Sequence, residues 1–246
     1  MHSIKSNLGY EMAMPMDSKL RLSAILVPLC LCVVAATFWL PELHLQIYRW
    51  LSSCGIEIHK ASFVGHATQI VIYDVILIGG AWVGLSALHV PLLETGWRKP
   101  NIAQMLISAG IMALGIILMG EVYAIFKTGS FVFPSLVIAK NWSDLGNASV
   151  YIYLFTSVFN APIEEVFYRG FLLTAIKRRY PAIMAITISA LVYAAAHANV
   201  SKDLVQVFFS GIILGALRIW GDNLWNPIAA HLTKNISASW LFISFW

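Results

Sequence analysis

Long apolar runs alternate with short polar breaks along the chain, and the runs have the length of a membrane crossing. Hydropathy places them at 22–40, 68–90, 101–126, 149–176, 180–199, 204–220 and 224–246. Each comes close to the ~20 residues that a helix rising ~1.5 Å per residue needs to span a ~30 Å hydrocarbon layer. The pattern predicts an all-α, polytopic membrane helix bundle of about seven transmembrane helices, with any active site inside the bundle. No repeat, linker or low-complexity tract divides the sequence, so 1–246 reads as a single integral membrane domain.

Between the first two runs, residues 41–67 mix Tyr48, Trp50, leucines and histidines with few charges. Such a stretch suits a helix lying among the headgroups or an ordinary loop, and the sequence favours neither. The first run follows a polar leader carrying Lys5, Lys19 and Arg21. It is longer than the roughly 7–15-residue core of a secretory signal, so it reads as an uncleaved signal anchor.

Composition sharpens this picture. The chain is 59% hydrophobic and 11% charged, against roughly 45–50% and about 25% in soluble domains, and both departures exclude a soluble fold. Cys30, Cys32 and Cys54 make an odd set, two of them inside an apolar run, and supply no disulfide framework. The formal charge of +4 is scattered between apolar runs, which marks topology and argues against a nucleic-acid partner. With the amino terminus inside, Lys5, Lys19, Arg21, Arg98, Lys99, Lys177, Arg178, Arg179 and Arg218 fall inside, nine in all. Arg49, Lys60, Lys127, Lys140 and Lys202 fall outside, and Arg169 and Lys234 lie within runs. Nine against five predicts an amino terminus inside a plasma or inner membrane.

The candidate chemistry lies in the second half. A charge inside a span costs about 2.5–3.5 kcal/mol on insertion scales, so an intramembrane ionisable residue points to function. The fourth run holds three, in Ala161-Pro-Ile-Glu-Glu-Val-Phe-Tyr-Arg169. Glu165 and Arg169 are four residues apart, share a helical face and are expected to pair. Glu164 points about 100° away and is left to handle protons as a general base. The competing structural reading is that both glutamates merely stabilise a helix junction through Arg169.

The fifth run ends with Tyr193 and His197 on one face, and the seventh begins with His231 and Asn235 on one face, again at four-residue spacing. A lone histidine in such a place is more often structural. The fourth and fifth runs are antiparallel about the basic turn Lys177 to Arg179, and ~1.5 Å per residue brings Glu164 and His197 to similar depth. In the sixth run Gly211 and Gly215 form a small-residue face that favours close helix packing.

In this order the motifs resemble the CAAX protease and bacteriocin-processing (CPBP, or Abi) family of intramembrane proteases, which includes the type II CAAX prenyl endopeptidases. Glu164-Glu165-Val-Phe-Tyr-Arg169 matches its E-E-x-x-x-R, Tyr193-Ala-Ala-Ala-His197 is similar to its F-x-x-x-H, and His231-Leu-Thr-Lys-Asn235 matches its H-x-x-x-N. The resemblance covers 150–246, which makes that stretch the expected catalytic core. Tyr193 departs from the usual phenylalanine.

The resemblance implies a glutamate-dependent intramembrane endopeptidase. Glu164 would activate water, His197 would assist, His231 and Asn235 would stabilise the oxyanion, and Glu165, Arg169 and Tyr193 would support them. No cofactor is the favoured expectation, because Asn235 suits an oxyanion hole. The alternative is zinc held by Glu164, His197 and His231, since family members have also been described as metalloproteases. The implied partner is a membrane-associated protein or peptide in the bilayer, cut near its carboxyl-terminal or membrane-proximal part by CAAX-type, bacteriocin-type or sorting-tail processing. Two other classes remain: an ion-coupled transporter, which predicts internal symmetry that is absent here, and a catalytically silent immunity or scaffold protein, which would be expected to lose one of these residues.

Overall fold

Side chains that are apolar on every face leave the backbone only its own partners in lipid, and the helix satisfies them all internally. The computed structural model describes residues 17–128, 156–198 and 204–240, and every long element among them is helical. The chain is an all-α membrane helix bundle. We number its helices α1 (Asp17–Ser53), α2 (Ile58–Ala87), α3 (Ile102–Thr128), α4 (156–177), α5 (Ala182–Ala196), α6 (Leu204–Gly221) and α7 (Trp225–Trp240). A short 3₁₀ turn, Leu92–Thr95, lies between α2 and α3. Within α1, α2, α3 and α6 lie stretches long and apolar enough to cross a membrane, and α5 is apolar but shorter.

The segment 41–67 is neither the interfacial helix nor the loop expected. α1 continues through Pro41 to Ser53, α2 starts at Ile58, and only a tight turn separates them. The cause is packing along one stripe: Leu40 and Leu51 are buried, while Trp39 and Trp50 face outward. Burial of that stripe outweighs the backbone hydrogen bond that proline forfeits. The first apolar run is therefore one part of a 37-residue helix packed against α2.

The fourth run departs from a regular α-helix in a different way. Its described part alternates a π turn (Thr156–Asn160), an α turn (Ala161–Glu165), a longer π segment (Val166–Leu172) and a final α turn (Leu173–Lys177); 149–155 lies outside the described residues. Widened turns of this kind concentrate at functional sites. Here the Tyr168 carbonyl accepts from the Leu173 N–H and also from Ser189 Oγ of α5 at 2.8 Å.

α4 is the centre of the bundle. Phe167 to Leu172 are buried on every face, the signature of a helix surrounded by others. α1 pairs with α2, α3 with α7 and α5 with α6, and α4 touches α2, α5, α6 and α7. Without a hydrophobic drive between helices in lipid, close approach rests on small residues. A Cβ at Gly211 would lie 2.9 Å from Ala190 Cβ, and one at Gly215 would lie 3.1 Å from Ile186 Cγ2, so the glycine face of α6 is seated on α5. Gly84 of α2 likewise makes room for the Phe171 ring.

The polar connections gather at one end. Arg178 grips Glu94 with Nε and Nη2 at 2.8 and 2.9 Å, Arg98 meets Asp222 at 2.7 Å, and Arg218 donates to the Glu94 carbonyl at 2.8 Å. Arg98, Arg178 and Arg218, three of the nine residues that the charge count assigned to one side, thus meet at one end of the bundle.

Candidate active site

The middle of α4 carries two adjacent carboxylates, and the bundle treats them differently. Glu165 and Arg169 are fully buried, and Arg169 Nη1 donates to Glu165 Oε1 at 2.9 Å, the pair expected from their spacing. Nη2 reaches across to the Gly211 carbonyl on α6 at 3.3 Å. His231 Nδ1 approaches the same Glu165 oxygen at 2.7 Å. Glu165 therefore ties α4 to α7, and Arg169 ties α4 to α6.

Glu164 is 3% exposed and faces the two histidines instead. His197 Nε2 lies 3.6 Å from its Oε1, and His231 Nε2 lies 3.7 Å from its Oε2. These gaps are too long for direct hydrogen bonds. The carboxylate thus stands between two imidazoles with neither bonded to it. His197 sits at the carboxyl-terminal end of α5, where its Nδ1 turns back to the Tyr193 carbonyl at 2.8 Å and aims Nε2 at Glu164.

The Tyr193 ring is enclosed by charge and aromatic edges. Arg169 Cζ lies 4.6 Å and Lys234 Nζ 5.3 Å from its centroid, distances at which a cation is held by the ring face. Its hydroxyl is 3.3 Å from His231 Nε2 and accepts from Lys234 Nζ at 3.1 Å. A phenylalanine would fill the same volume but make neither contact. Asn235 follows His231 by one turn of α7 and is half-buried.

Three further residues belong to this cluster. Asn160, with its amide nitrogen turned inward, donates to Asp74 Oδ1 at 3.2 Å and to Glu164 Oε1 at 3.3 Å. Asp74, buried on α2, so connects the first half of the chain to the site. Lys234 is the third. The cost of charge inside a span was a signal for both Asp74 and Lys234; Asn160 carried none.

Zinc requires ligands that converge on one point with their lone pairs free. Both Nδ1 atoms are engaged elsewhere, as in metal-ligating histidines. His231 Nε2, however, is taken up by the Tyr193 hydroxyl. Among the described residues no group of three His, Cys, Asp or Glu side chains is disposed to hold a metal ion. As arranged, the donor set does not fit zinc, and the chemistry available is that of a carboxylate, two imidazoles and hydrogen-bond donors.

Residues 146–237 match the family model of type II CAAX prenyl endopeptidases, Rce1-like. Over this stretch, a little over a third of the chain, the sequence is similar to that family. The matched stretch contains every residue of the cluster except Asp74, and α1 to α3 lie outside it. No curated protein and no solved structure matches the chain. The matched stretch lies in an integral membrane bundle, and α1, α2 and α3 each pack against it.

Proposed function

We propose that the chain is a glutamate-dependent intramembrane endopeptidase that cuts a membrane-associated polypeptide near its carboxyl-terminal or membrane-proximal part. The family match supports a peptidase. The observation that carries the finer reading is the division between adjacent carboxylates: Glu165 is bound by Arg169 and His231, while Glu164 lies 3.6 and 3.7 Å from two imidazole nitrogens with neither bonded to it.

In this reading a water held between Glu164 and His197 gives a proton to Glu164 as its oxygen attacks the scissile carbonyl carbon. The new C–O bond places negative charge on the carbonyl oxygen, which His231 and Asn235 on α7 stabilise as hydrogen-bond donors in a dry cavity. Glu164 then returns the proton to the amine as the C–N bond breaks. One water is consumed and an acid and an amine leave. Glu164 is buried among side chains of α2, α4, α5 and α7, so the substrate bond must enter the bundle to react.

The test is cleavage of a panel of membrane-anchored peptides by the purified full chain, with Glu164→Gln alongside and each with and without chelator. Cleavage by the wild type that disappears in Glu164→Gln and persists in chelator supports the proposal. Equal behaviour of the two proteins on every peptide would favour a silent scaffold, and loss in chelator would restore zinc.

A further inference from the structure

The direction of the hydrogen bonds around His231 follows from what each group can do. Lys234 Nζ has only protons to give, so it donates to the Tyr193 oxygen at 3.1 Å. The Glu165 carboxylate can only accept, so His231 Nδ1, 2.7 Å away, carries a proton. In the neutral imidazole Nε2 is then bare, and it accepts from the Tyr193 hydroxyl at 3.3 Å. Arg169 donates to the same carboxylate oxygen from the other side at 2.9 Å. The chain runs one way: Lys234 to Tyr193 to His231 to Glu165.

This arrangement has a chemical consequence for the reading above, on which the inference rests. A histidine whose Nε2 is bare has no proton to offer an oxyanion. Before His231 can act as a donor, Nε2 must be protonated, and the Tyr193 hydroxyl is aimed at it. We propose that Lys234 and Tyr193 form a proton relay that arms His231 as negative charge develops on the substrate. The Tyr193 O–H bond breaks as a proton passes to His231 Nε2, and a Lys234 N–H bond breaks as its proton replaces the one Tyr193 gave up. Tyr193 ends as it began, Lys234 becomes neutral, and the positive charge has moved to the imidazolium, which faces Glu165 on one side and the reacting centre on the other. No electron changes hands and the total charge is constant.

The phenylalanine of the family pattern cannot perform this step, so the relay is a property of this chain's own residues. Glu164 lies 3.7 Å from the same Nε2, so the charge arrives where it also faces the base. The Lys234 ammonium lies 5.3 Å from the Tyr193 ring centroid, which holds it in place between transfers.

The experiment combines kinetics with the state of the imidazole. Tyr193→Phe, Lys234→Met and Lys234→Arg are compared with wild type for kcat and KM on a cleaved peptide, and their thermal unfolding is measured in the same detergent. Arginine keeps the charge but does not release its proton. The relay therefore predicts that all three variants stay folded, keep KM and lose about 10²–10³-fold in kcat, the size of one missing oxyanion donor. Wild-type kcat in Tyr193→Phe, or in Lys234→Arg, would overturn it. Independently of activity, ¹⁵N spectra of histidine-labelled protein, with His231 assigned by its absence in His231→Gln, are expected to show Nδ1 protonated and Nε2 bare. An Nε2-protonated resting form would also overturn the relay. Failure of the peptidase reading itself would appear differently, as wild type no more active than Glu164→Gln.

Discussion

Two clusters in this molecule are built from the same arginine and carboxylate chemistry, and they sit in different surroundings. At the end of the bundle, Arg178 and Glu94 meet at 2.8 Å with side chains 30% and 45% exposed. At its centre, Arg169 and Glu165 meet at 2.9 Å with both fully buried. Water can replace either partner of the first pair and neither of the second. The end cluster is thus a set of removable clips between the turns. The central one is a fixed frame from which Glu164, one residue away, is held out.

The largest effect is expected at the carboxylate held out. Glu164→Gln should lower kcat by about 10²–10⁴-fold, the range for loss of a general base, with thermal unfolding unchanged. Next comes the frame. Arg169→Met leaves Glu165 buried without its cation and should destabilise the fold by about 3–5 kcal/mol, read as a lower unfolding midpoint in detergent. Smaller again is the seat of α6 on α5. Gly211→Ala inserts a methyl group where 2.9 Å separates it from Ala190 and should cost about 1–3 kcal/mol, with some loss of activity because the Gly211 carbonyl anchors Arg169.

The smallest effect belongs to the exposed pair. Hydrogen bonds from Arg178 hold the Glu94 carboxyl below its ordinary value of 4.5. A carboxylate depressed in the folded state contributes stability that is complete above that ordinary value and is lost as pH falls through the folded one. Arg178→Met should remove this dependence below about pH 4.5 and cost under about 1 kcal/mol at neutral pH. A loss as large as that of Arg169→Met would erase the contrast between the two clusters.

The same contrast explains what the sequence revealed. Apolar runs report burial directly, so α3, α5 and α6 fall within a few residues of the hydropathy boundaries. α1 and α2 were misread between 41 and 67 because tertiary packing decided that stretch: Leu40 and Leu51 continue a buried stripe across Pro41, which no local signal shows. The cost of charge in lipid singled out Glu164, Glu165 and Arg169, and four-residue spacing placed Glu165 against Arg169. The assignment of His231 to Glu165 and the reach of Lys234 to Tyr193 depend on how α4, α5 and α7 cross, and the widened turns of α4 lie outside any periodicity argument. Asp74 was visible as an acid within an apolar run, but its link through Asn160 joins two elements far apart in the chain.

The central claim is that neighbouring carboxylates have separate tasks, and one comparison tests it directly: Glu164→Gln and Glu165→Gln, each assayed in parallel for single-turnover cleavage and for thermal unfolding. The account predicts that Glu164→Gln unfolds with the wild type and does not cleave, while Glu165→Gln unfolds well below it. Cleavage by Glu164→Gln at the wild-type rate, or an unfolding midpoint for Glu165→Gln equal to wild type, would contradict the account.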